Sequence, residues 1–524
     1  MMLFVAAVLS ACDGCRPGST TTPTNGNADA DVGRPDLRLF FVSDLAGALE
    51  PCGCVKDQLG GMDKFAALVD KEKGAATASA VLAVGPTHFM DLVIAPEKKN
   101  QETRKAVAIA QSLTTAGLKY WVPGKNDWKN GESIWKDING DTALAGKNGT
   151  IEAGGLKIAI VGVTAPIEGL STKPAGELAK ERIAEAKTNG ANAIIVLAAV
   201  GRGEAKRIAD DNPDVLAIVV ASIEAQGDES VKSSPAERIG KTLIIQTANH
   251  LQTAATLDIF VRGEATGGKK TGLVHIADGS GIDRIKKREE LSSRINELRE
   301  RIATWETDKS VDPKDIAARK ADMQKLEGER DALDKAPPPA VTGAFYKYAM
   351  HEIRDKLGAD EKVKAKMLAY YKQVNDENRE AFKDKKPVPP AKGEPKYVGI
   401  DACTNCHEEP KKVWDGTKHA SAYATLSTQF KEFNLDCVSC HVTGYDKPGG
   451  STVTHVSELK NVQCEVCHGP GELHAKAPEK VKVPVPKPSA DSCLACHHPP
   501  HVHTFDAKAK MADILGPGHG EKKK

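Results

Sequence analysis

The chain has 524 residues, too many for one compact core, so two to four domains are expected. Its formal net charge is +1 at pH 7, and nothing in that balance indicates a nucleic-acid partner. Apolar residues make up 40% of the chain, enough for globular folding, and no apolar run reaches the length that a membrane-spanning helix needs.

The N-terminus predicts export. Residues 1–11 are apolar and end in Leu9-Ser10-Ala11-Cys12, which resembles the lipobox of bacterial lipoproteins. The resemblance implies cleavage before Cys12, a lipid on its thiol, and anchoring on the periplasmic side of the cell envelope. The segment is short and lacks basic residues, which a start codon assigned too late would explain; an ordinary secretory peptide is the alternative. Residues 12–36 are expected to be a flexible tether because small and polar residues dominate them.

Eight of the twelve cysteines lie beyond residue 400 and form four repeats of Cys-x-x-Cys-His. Two thiols three positions apart share one face of a helical turn and can bind both vinyl groups of a haem, and the following His can bind the iron. Zinc would suit paired cysteines but does not require a His after every pair. The sequence therefore predicts four c-type haems. The attachment pairs would be Cys403 and Cys406, Cys437 and Cys440, Cys464 and Cys467, and Cys493 and Cys496, with His407, His441, His468 and His497 as proximal ligands.

Each iron then needs a sixth ligand or has an open site. Two His ligands give a low-spin iron suited to electron transfer, whereas an open site would allow small molecules to bind or react. Four haems in so short a region predict that the macrocycles form its core. The candidate ligands, which outnumber the places, are His419, His455, His474, His498, His501, His503 and His519.

Residues 397–524 resemble the tetrahaem cytochrome c554 family and its multihaem relatives. The resemblance rests on Tyr397-Val398-Gly399, Trp414-x-x-Thr417-x-His419-Ala420, Asp436–Gly444, Gly449-Gly450 and Val462–Gly471. It gives His419 and His474 the role of distal ligands. A His near the C-terminus caps the first haem in that family, and here His503 or His501 fits best, with His519 as the reserve. The second haem of the family can be five-coordinate, so the His441 haem is either open or closed by His455.

Residues 37–262 have the pattern of an α/β fold, with apolar strands separated by helical stretches such as Thr103–Ala116 and Glu177–Ala186. The strands are expected at Leu39–Asp44, Val81–Gly85, Lys119–Pro123, Lys157–Val163, Ala193–Val200, Val215–Ala221, Leu243–Thr247 and Thr256–Val261.

The opening of this region resembles the calcineurin-like metallophosphoesterase domain of periplasmic 5′-nucleotidases. The matching stretch is Phe41-Val42-Ser43-Asp44-Leu45-x-Gly47-x-Leu49-Glu50-Pro51, followed by Gly60-Gly61. Two-metal hydrolysis needs carboxylates and imidazoles around both ions. Of that family's ligands only Asp44, Asn126 and Asp127 survive, so the domain is expected to be non-catalytic, and the isolated His88 and His250 to be structural. The departures are Ala46, Gly85-Pro86, Gly124-Lys125-Asn126-Asp127, Ala198-Ala199-Val200 and Ser222-Ile223-Glu224-Ala225.

The Cys52-Gly53-Cys54 pair is too tightly spaced for haem attachment. A strained disulfide and a metal or redox role are both open. Similar Pro-Cys-Gly-Cys stretches occur in phosphoesterase-like domains fused to multihaem cytochromes, so the pair resembles that fusion.

The middle of the chain has long helical patterns. Ile282–Trp305 and Ile316–Leu333 predict an antiparallel helical hairpin or coiled coil, which offers a surface for self-association. Ala344–Phe382 is predicted as further helix, and residues 383–395 as a Lys- and Pro-rich spacer. The predicted division is a signal peptide (1–11), a tether (12–36), a degenerate metallophosphoesterase-like domain (37–280), a helical hairpin (281–336), a helical connector and spacer (337–396) and a tetrahaem cytochrome domain (397–524).

The predicted fold class is thus multidomain: an α/β sandwich, a helical hairpin, and a mainly α or irregular tetrahaem region. The favoured function is a membrane-tethered periplasmic electron carrier acting between redox protein partners. The alternative is an oxidoreductase acting on a small nitrogen or sulfur species at one open haem. Phosphohydrolase activity ranks last because its metal ligands are missing.

Overall fold

A computed structural model describes residues 33–51, 57–227, 229–263, 272–308, 310–337, 339–503, 505–517 and 519. The described residues from 35 onward form one compact unit. Cys12 and the Cys52-Gly53-Cys54 pair lie outside the described residues, so their roles stay predictions from the sequence. Within the described ranges, no helix is both long and apolar enough to cross a membrane.

Two six-stranded sheets form the larger part of the molecule. The first has the order β11-β12-β10-β1-β2-β3 and the second β4-β5-β6-β7-β9-β8. Strands β1, β2 and β3 run parallel, as do β5, β6, β7 and β9. The strands are Leu37–Ser43 (β1), Ala78–Gly85 (β2), Leu118–Pro123 (β3), Asn148–Ala153 (β4), Leu156–Thr164 (β5), Ala193–Ala199 (β6), Ala217–Ala221 (β7), Ser234–Ile239 (β8), Thr242–Gln246 (β9), Thr253–Phe260 (β10), Ala277–Asp278 (β11) and Phe345–Glu352 (β12).

The sheets pack face to face because successive side chains of a strand point to opposite faces. In β1, Leu39 and Phe41 face the second sheet and join a core that includes Ile160 and Leu197. The alternate residue Phe40 faces outward, toward helices. Strands buried on both faces read as continuous apolar runs, which explains why the central strands were recognisable in the sequence.

Helices cover both outer faces. One face is covered by α1, α2 and α8, and the other by α4 and α5. This four-layer arrangement confirms the predicted α/β sandwich, and all eight expected strands are present. The helices of this part are Met62–Lys73 (α1), Lys99–Ala116 (α2), Lys125–Gly131 (α3), Ala175–Thr188 (α4), Arg202–Asp211 (α5), Ile282–Thr307 (α6), Pro313–Lys335 (α7) and Glu361–Ala381 (α8).

The predicted helix over Ala344–Phe382 is wrong in its first part. Residues 345–352 form β12, which pairs antiparallel with β10 along its whole length, from Phe345 opposite Phe260 to Glu352 opposite Thr253. The exposed edge of β10 supplies the hydrogen bonds, and Phe345 stacks on Phe260 with ring centres 4.6 Å apart. The helix begins only at Glu361.

The predicted helical hairpin is confirmed by α6 and α7. Asp312 accepts a hydrogen bond from the Lys314 backbone N–H and begins α7, with Pro313 in its first turn. Ile295 and Ile302 of α6 are buried, whereas α7 has no buried residue.

The C-terminal region consists of short helices and turns around one small apolar cluster of Tyr423, Val438, Val442 and Val456. This mainly α and irregular region agrees with the prediction. Its α-helices are Asp401–Thr404 (α9), Glu408–Asp415 (α10), Ala422–Ser427 (α11), Val438–His441 (α12), Cys464–His468 (α13), Glu472–Lys476 (α14) and Ala507–Met511 (α15).

Candidate haem-binding region

The Cys-x-x-Cys-His motifs lie on single helical turns. In the first motif the His407 N–H donates to the Cys403 carbonyl at 3.0 Å, and in the fourth the His497 N–H donates to the Cys493 carbonyl at 2.9 Å. The second and third motifs lie on α12 and α13. This backbone places both thiols of a motif on one side of a turn. All eight of these cysteines are free thiols.

The thiols of different motifs meet in pairs. Cys403 of the first motif forms a side-chain hydrogen bond with Cys464 of the third, and this bond lowers the pKa of Cys464 to about 7. Cys440 of the second motif forms a side-chain hydrogen bond with Cys496 of the fourth, and this hydrogen bond lowers the pKa of Cys440 to about 6. The motifs are therefore grouped as first with third and second with fourth.

Two imidazole pairs, each of which includes the His of one motif, have tilted rings at the same spacing. The ring centres of His407 and His474 are 6.2 Å apart, and those of His419 and His497 are also 6.2 Å apart. Imidazole nitrogens at about 2 Å on either side of a metal, each about 1 Å from its ring centre, would put the ring centres about 6 Å apart. Both pairs therefore fit ligands on opposite sides of one iron.

Backbone carbonyls fix the orientation of several rings. The Nδ1 of His441 donates to the Ala422 carbonyl at 2.6 Å, that of His468 to Val485 at 2.9 Å, and that of His474 to Val481 at 2.6 Å. A hydrogen bond at Nδ1 leaves Nε2 as the metal-binding nitrogen. Burial, with the charges of nearby histidines, lowers the pKa of His419 and His497, which favours the neutral ring that binds a metal.

The remaining candidate histidines have different neighbours. His503 lies against the sandwich, with its Nε2 3.4 Å from His250 Nδ1 and its Nδ1 3.0 Å from Ser230 Oγ. The ring opposite the first motif belongs to His474. Burial and the nearby His468 and His407 lower the pKa of His519.

His501 is contacted at its backbone carbonyl, and the ring of His455 lies beside a hydroxyl group. The Gln58 side chain donates to the His501 carbonyl, and the His501 and His498 ring centres are 6.0 Å apart. The Nδ1 of His455 lies 3.1 Å from the Thr454 hydroxyl.

Exposed apolar side chains are concentrated around the third and fourth motifs. Half of the ten large hydrophobic residues that are exposed in the described ranges lie between residues 464 and 515. Such surfaces are unfavourable in water unless something apolar covers them. A porphyrin would cover them, so the apolar surface fits the group that the motifs imply. These residues are Val466, Leu473, Val485, Leu494 and Leu515.

At two of the surviving metal-ligand positions of the sandwich, the side chain forms hydrogen bonds with backbone groups. The side-chain amide of Asn126 donates to the carbonyls of Met90 at 3.1 Å and Ala225 at 3.0 Å, and its oxygen accepts from the Ala225 N–H at 3.2 Å. The Asp127 carboxylate accepts backbone N–H groups of Thr87 at 2.9 Å and His88 at 2.7 Å. These contacts hold loops together and leave few lone pairs for an ion.

Asp44 is the third survivor. Its Oδ1 accepts the Ser222 N–H at 2.8 Å, and its buried Oδ2 has no hydrogen-bond partner within the described part of the chain. Burial raises the pKa of Asp44 to about 7. Among the described residues, no three His, Cys, Asp or Glu side chains come together as a metal site.

Comparison with known proteins supports the assignment of the C-terminal region. Residues 402–469 match the family described as cytochrome c554 and c-prime. Cytochrome c-554 of Nitrosomonas europaea is 33% identical over 91 residues, which cover 14% of this chain and 39% of that protein. The predicted resemblance to the cytochrome c554 family is confirmed for this segment. The chain spans only 39% of its curated relative's length, so that protein's activity is not transferred.

Several solved structures are similar to this chain at low sequence identity. The 5′-nucleotidase precursor from Thermus thermophilus has a TM-score of 0.38 and 16% identity, covering 74% of this chain and 68% of that one. The Thermus thermophilus sulfate thiohydrolase SoxB in complex with glycerol has a TM-score of 0.35 and 18% identity, covering 43% and 54%. The calcineurin-like phosphoesterase YfkN from Bacillus subtilis has a TM-score of 0.36 and 11% identity, covering 44% and 86%. Scores this low carry no argument about activity.

Proposed function

We propose that the C-terminal region binds four c-type haems and carries electrons. The thioether bonds would form at Cys403 and Cys406, Cys437 and Cys440, Cys464 and Cys467, and Cys493 and Cys496, with His407, His441, His468 and His497 as proximal ligands. Haem supplies reversible one-electron chemistry when bound. The observation that carries the proposal is the pair of imidazole couples at 6.2 Å, each of which includes the His of a motif.

We assign the distal ligands from those couples. His474 would complete the coordination of the iron held by His407, and His419 that of the iron held by His497. His474 is oriented for this by its bond to the Val481 carbonyl. A role for His503 as a ligand stays a prediction from the sequence, because in the folded chain it contacts His250 and Ser230.

The pairing of motifs supports electron transfer within the chain. Thiols of the first and third motifs, and of the second and fourth, are close enough to hydrogen-bond, so groups attached to them would be neighbours. Neighbouring redox groups exchange electrons rapidly, and electrons would enter and leave through redox protein partners.

The sandwich is proposed to be a non-catalytic scaffold. Asn126 and Asp127 are engaged by the backbone, and Asp44 is a buried carboxyl without imidazole neighbours in the surviving motifs. The proposal fails if the purified protein hydrolyses nucleotides or bis-phosphate esters when a divalent metal is added.

Location follows from the lipobox alone. We propose that lipid on Cys12 anchors the chain on the periplasmic side of a bacterial envelope. Fractionation should place the protein in membranes and its Cys12→Ser variant in the soluble fraction. A soluble wild-type protein would contradict the anchor.

A specific observation favours a second candidate, oxidoreductase activity on a small nitrogen or sulfur species. A cavity of about 380 Å³ lies between the sandwich and the second motif, bounded by Met90, Asp91, Cys440, His498 and His501 among others. Because Cys440 is an attachment thiol, the haem held there would fill part of this cavity, and a small molecule would reach the iron through the rest of it.

Electron paramagnetic resonance of the oxidised protein separates the two candidates. Low-spin signals from all haems, with slow cyanide binding, are expected for the carrier. A high-spin signal with rapid cyanide or nitric oxide binding would contradict the carrier function and support the oxidoreductase function.

A further inference from the structure

The turn that precedes the second haem motif is docked on the sandwich. The Phe433 carbonyl accepts from Asn378 Nδ2 at 2.9 Å, and the Phe433 N–H donates to Asn375 Oδ1 at 3.1 Å. The Leu435 N–H donates to Gln101 Oε1 at 2.8 Å. Gln101 belongs to α2 and the two asparagines to α8, so two helices on one face of the sandwich hold this turn.

A group of buried charges lies at the end of the same turn. Asp436 Oδ2 is 2.9 Å from Lys105 Nζ, and Asp436 Oδ1 is 3.0 Å from Lys98 Nζ. Lys105 also contacts Glu102 Oε1 at 2.8 Å. The side chains of Lys105 and Glu102 are each only 7% exposed, and that of Asp436 is 23% exposed. Asp436 directly precedes Cys437 of the motif.

Asp436 and Lys105 keep their charges in the folded protein, whereas burial raises the pKa of Glu102 to about 7. Burial alone would raise the pKa of Asp436, but the ammonium groups of Lys105 and Lys98 hold it below its usual range. The carboxylates of Asp436 and Glu102 likewise keep the pKa of Lys105 above its usual range against the effect of burial.

Docking alone does not explain these charges. The amide hydrogen bonds from Gln101, Asn375 and Asn378 already fix the turn, and a buried ion pair adds little net stability over apolar side chains of similar size. A charge in a poorly solvated place acts strongly on any nearby change of charge. Oxidation and reduction at the second motif would be such a change.

We infer that Lys105 and Asp436 are positioning residues through which the sandwich orients the second motif and sets the reduction potential of the haem attached at Cys437 and Cys440. The inference rests on the proposed function, because it requires a haem at that motif. It also gives the sandwich a role that needs no phosphoesterase chemistry.

The two halves of the ion pair should act in opposite directions. A reduced haem has one positive charge fewer than the oxidised haem, so a nearby cation raises the potential and a nearby anion lowers it. Lys105→Met should lower one midpoint potential and Asp436→Asn should raise it. Lys105→Arg keeps the charge and should leave that potential close to the wild-type value. If the variants acted only through lost packing, Lys105→Met and Asp436→Asn would shift the midpoint potential in the same direction.

The test is a spectroelectrochemical titration of the full-length protein and these variants, with haem content measured on the same samples. Lys385→Met is the matched control, because Lys385 also joins the C-terminal region, through Asp446 at 2.8 Å, but both side chains are more than 40% exposed. It should shift no potential. Should Lys105→Met not fold, Lys98→Met removes a charge from the same carboxylate and should shift the potential downward. Lys98 is itself 42% exposed, but its partner Asp436 is only 23% exposed, so the shift should be smaller than for Lys105→Met and still larger than for Lys385→Met.

The outcomes separate the inference from the proposed function. A haem content other than four per chain would overturn the proposed function. Four haems with opposite shifts for Lys105→Met and Asp436→Asn would support the inference. Four haems with no shift, or with shifts of the same sign, would overturn the inference and leave the proposed function intact.

Discussion

Asp44 is a buried carboxyl whose protonation depends on folding. One of its oxygens has no hydrogen-bond partner among the described residues, and burial raises its pKa to about 7. In the unfolded chain the Asp44 carboxyl ionises near pH 4. Between about pH 4 and pH 7 the folded state therefore keeps a proton on Asp44 that the unfolded state has lost. Stability contributed by this group is therefore present at low pH and is lost as pH rises toward 7.

Asp44→Asn should remove this pH dependence. The amide keeps an acceptor for the Ser222 N–H but has no charge, so the variant should be more stable than wild type at pH 8, on the order of 3 kcal/mol, and about equal at pH 4. Urea unfolding followed by circular dichroism at both pH values measures this. Asp127→Asn is the control. Because Asp127 accepts hydrogen bonds from several backbone N–H groups, its replacement should destabilise the protein at both pH values. Equal stability of Asp44→Asn and wild type at pH 8 would contradict the argument.

His474 provides the residue-scale test of the ligand assignment. His474→Met should raise one midpoint potential, because a His and Met ligand pair has a higher potential than two His ligands. His351→Met is the control, because this ring lies in the sandwich beside the Thr256 hydroxyl, and it should leave all potentials in place. The assignment fails if His474→Met has the potentials and spin state of wild type.

In the sandwich, the strands that are buried on both faces could be predicted from the sequence. Strands such as Ala193–Ala199 are apolar at every position because both faces are covered, and such runs are visible in the sequence. Strand β12 was missed because Lys347, Ala349, Met350 and Glu352 are compatible with helix. What makes it a strand is the open edge of β10, more than eighty residues away in the chain, which no local pattern reveals.

The haem motifs were predictable, and the pairing of distal ligands only in part. The Cys-x-x-Cys-His spacing is local chemistry, so the attachment residues could be proposed from sequence alone. Which ring faces which depends on long-range contacts. His474 lies opposite His407, and His503 is held by His250 of the sandwich, a contact across some 250 residues that the sequence does not indicate.

The buried apolar side of the hairpin comes from α6, where Leu291, Ile295 and Ile302 form a narrow apolar seam. Ile295 is 1% exposed, whereas α7 has no buried residue. Ile295→Ala should destabilise the hairpin by about 2–4 kcal/mol through lost burial and a cavity. Hydrogen exchange of the α6 amides should report this as faster exchange confined to the hairpin. Lys325→Ala on the exposed side of α7 should change exchange little. Equal protection in both variants would mean that the seam does not hold the helices.

At the scale of the molecule, the sandwich and the cytochrome region belong to one compact unit. Their contacts include Lys105 with Asp436, Gln101 with the Leu435 backbone, and His250 with His503. A domain without its metal ligands can be retained for such contacts, since they fix the turn that leads into the second motif.

The central claim is that each of the four Cys-x-x-Cys-His motifs holds one haem covalently. Intact mass spectrometry of the purified protein, with the pyridine haemochrome absorbance of the same sample, measures this directly. The account predicts a polypeptide heavier by four haem groups, and three haems after both cysteines of any single motif are replaced by alanine. A wild-type chain with fewer than four bound haems, or a double-cysteine variant that still binds four, would contradict it.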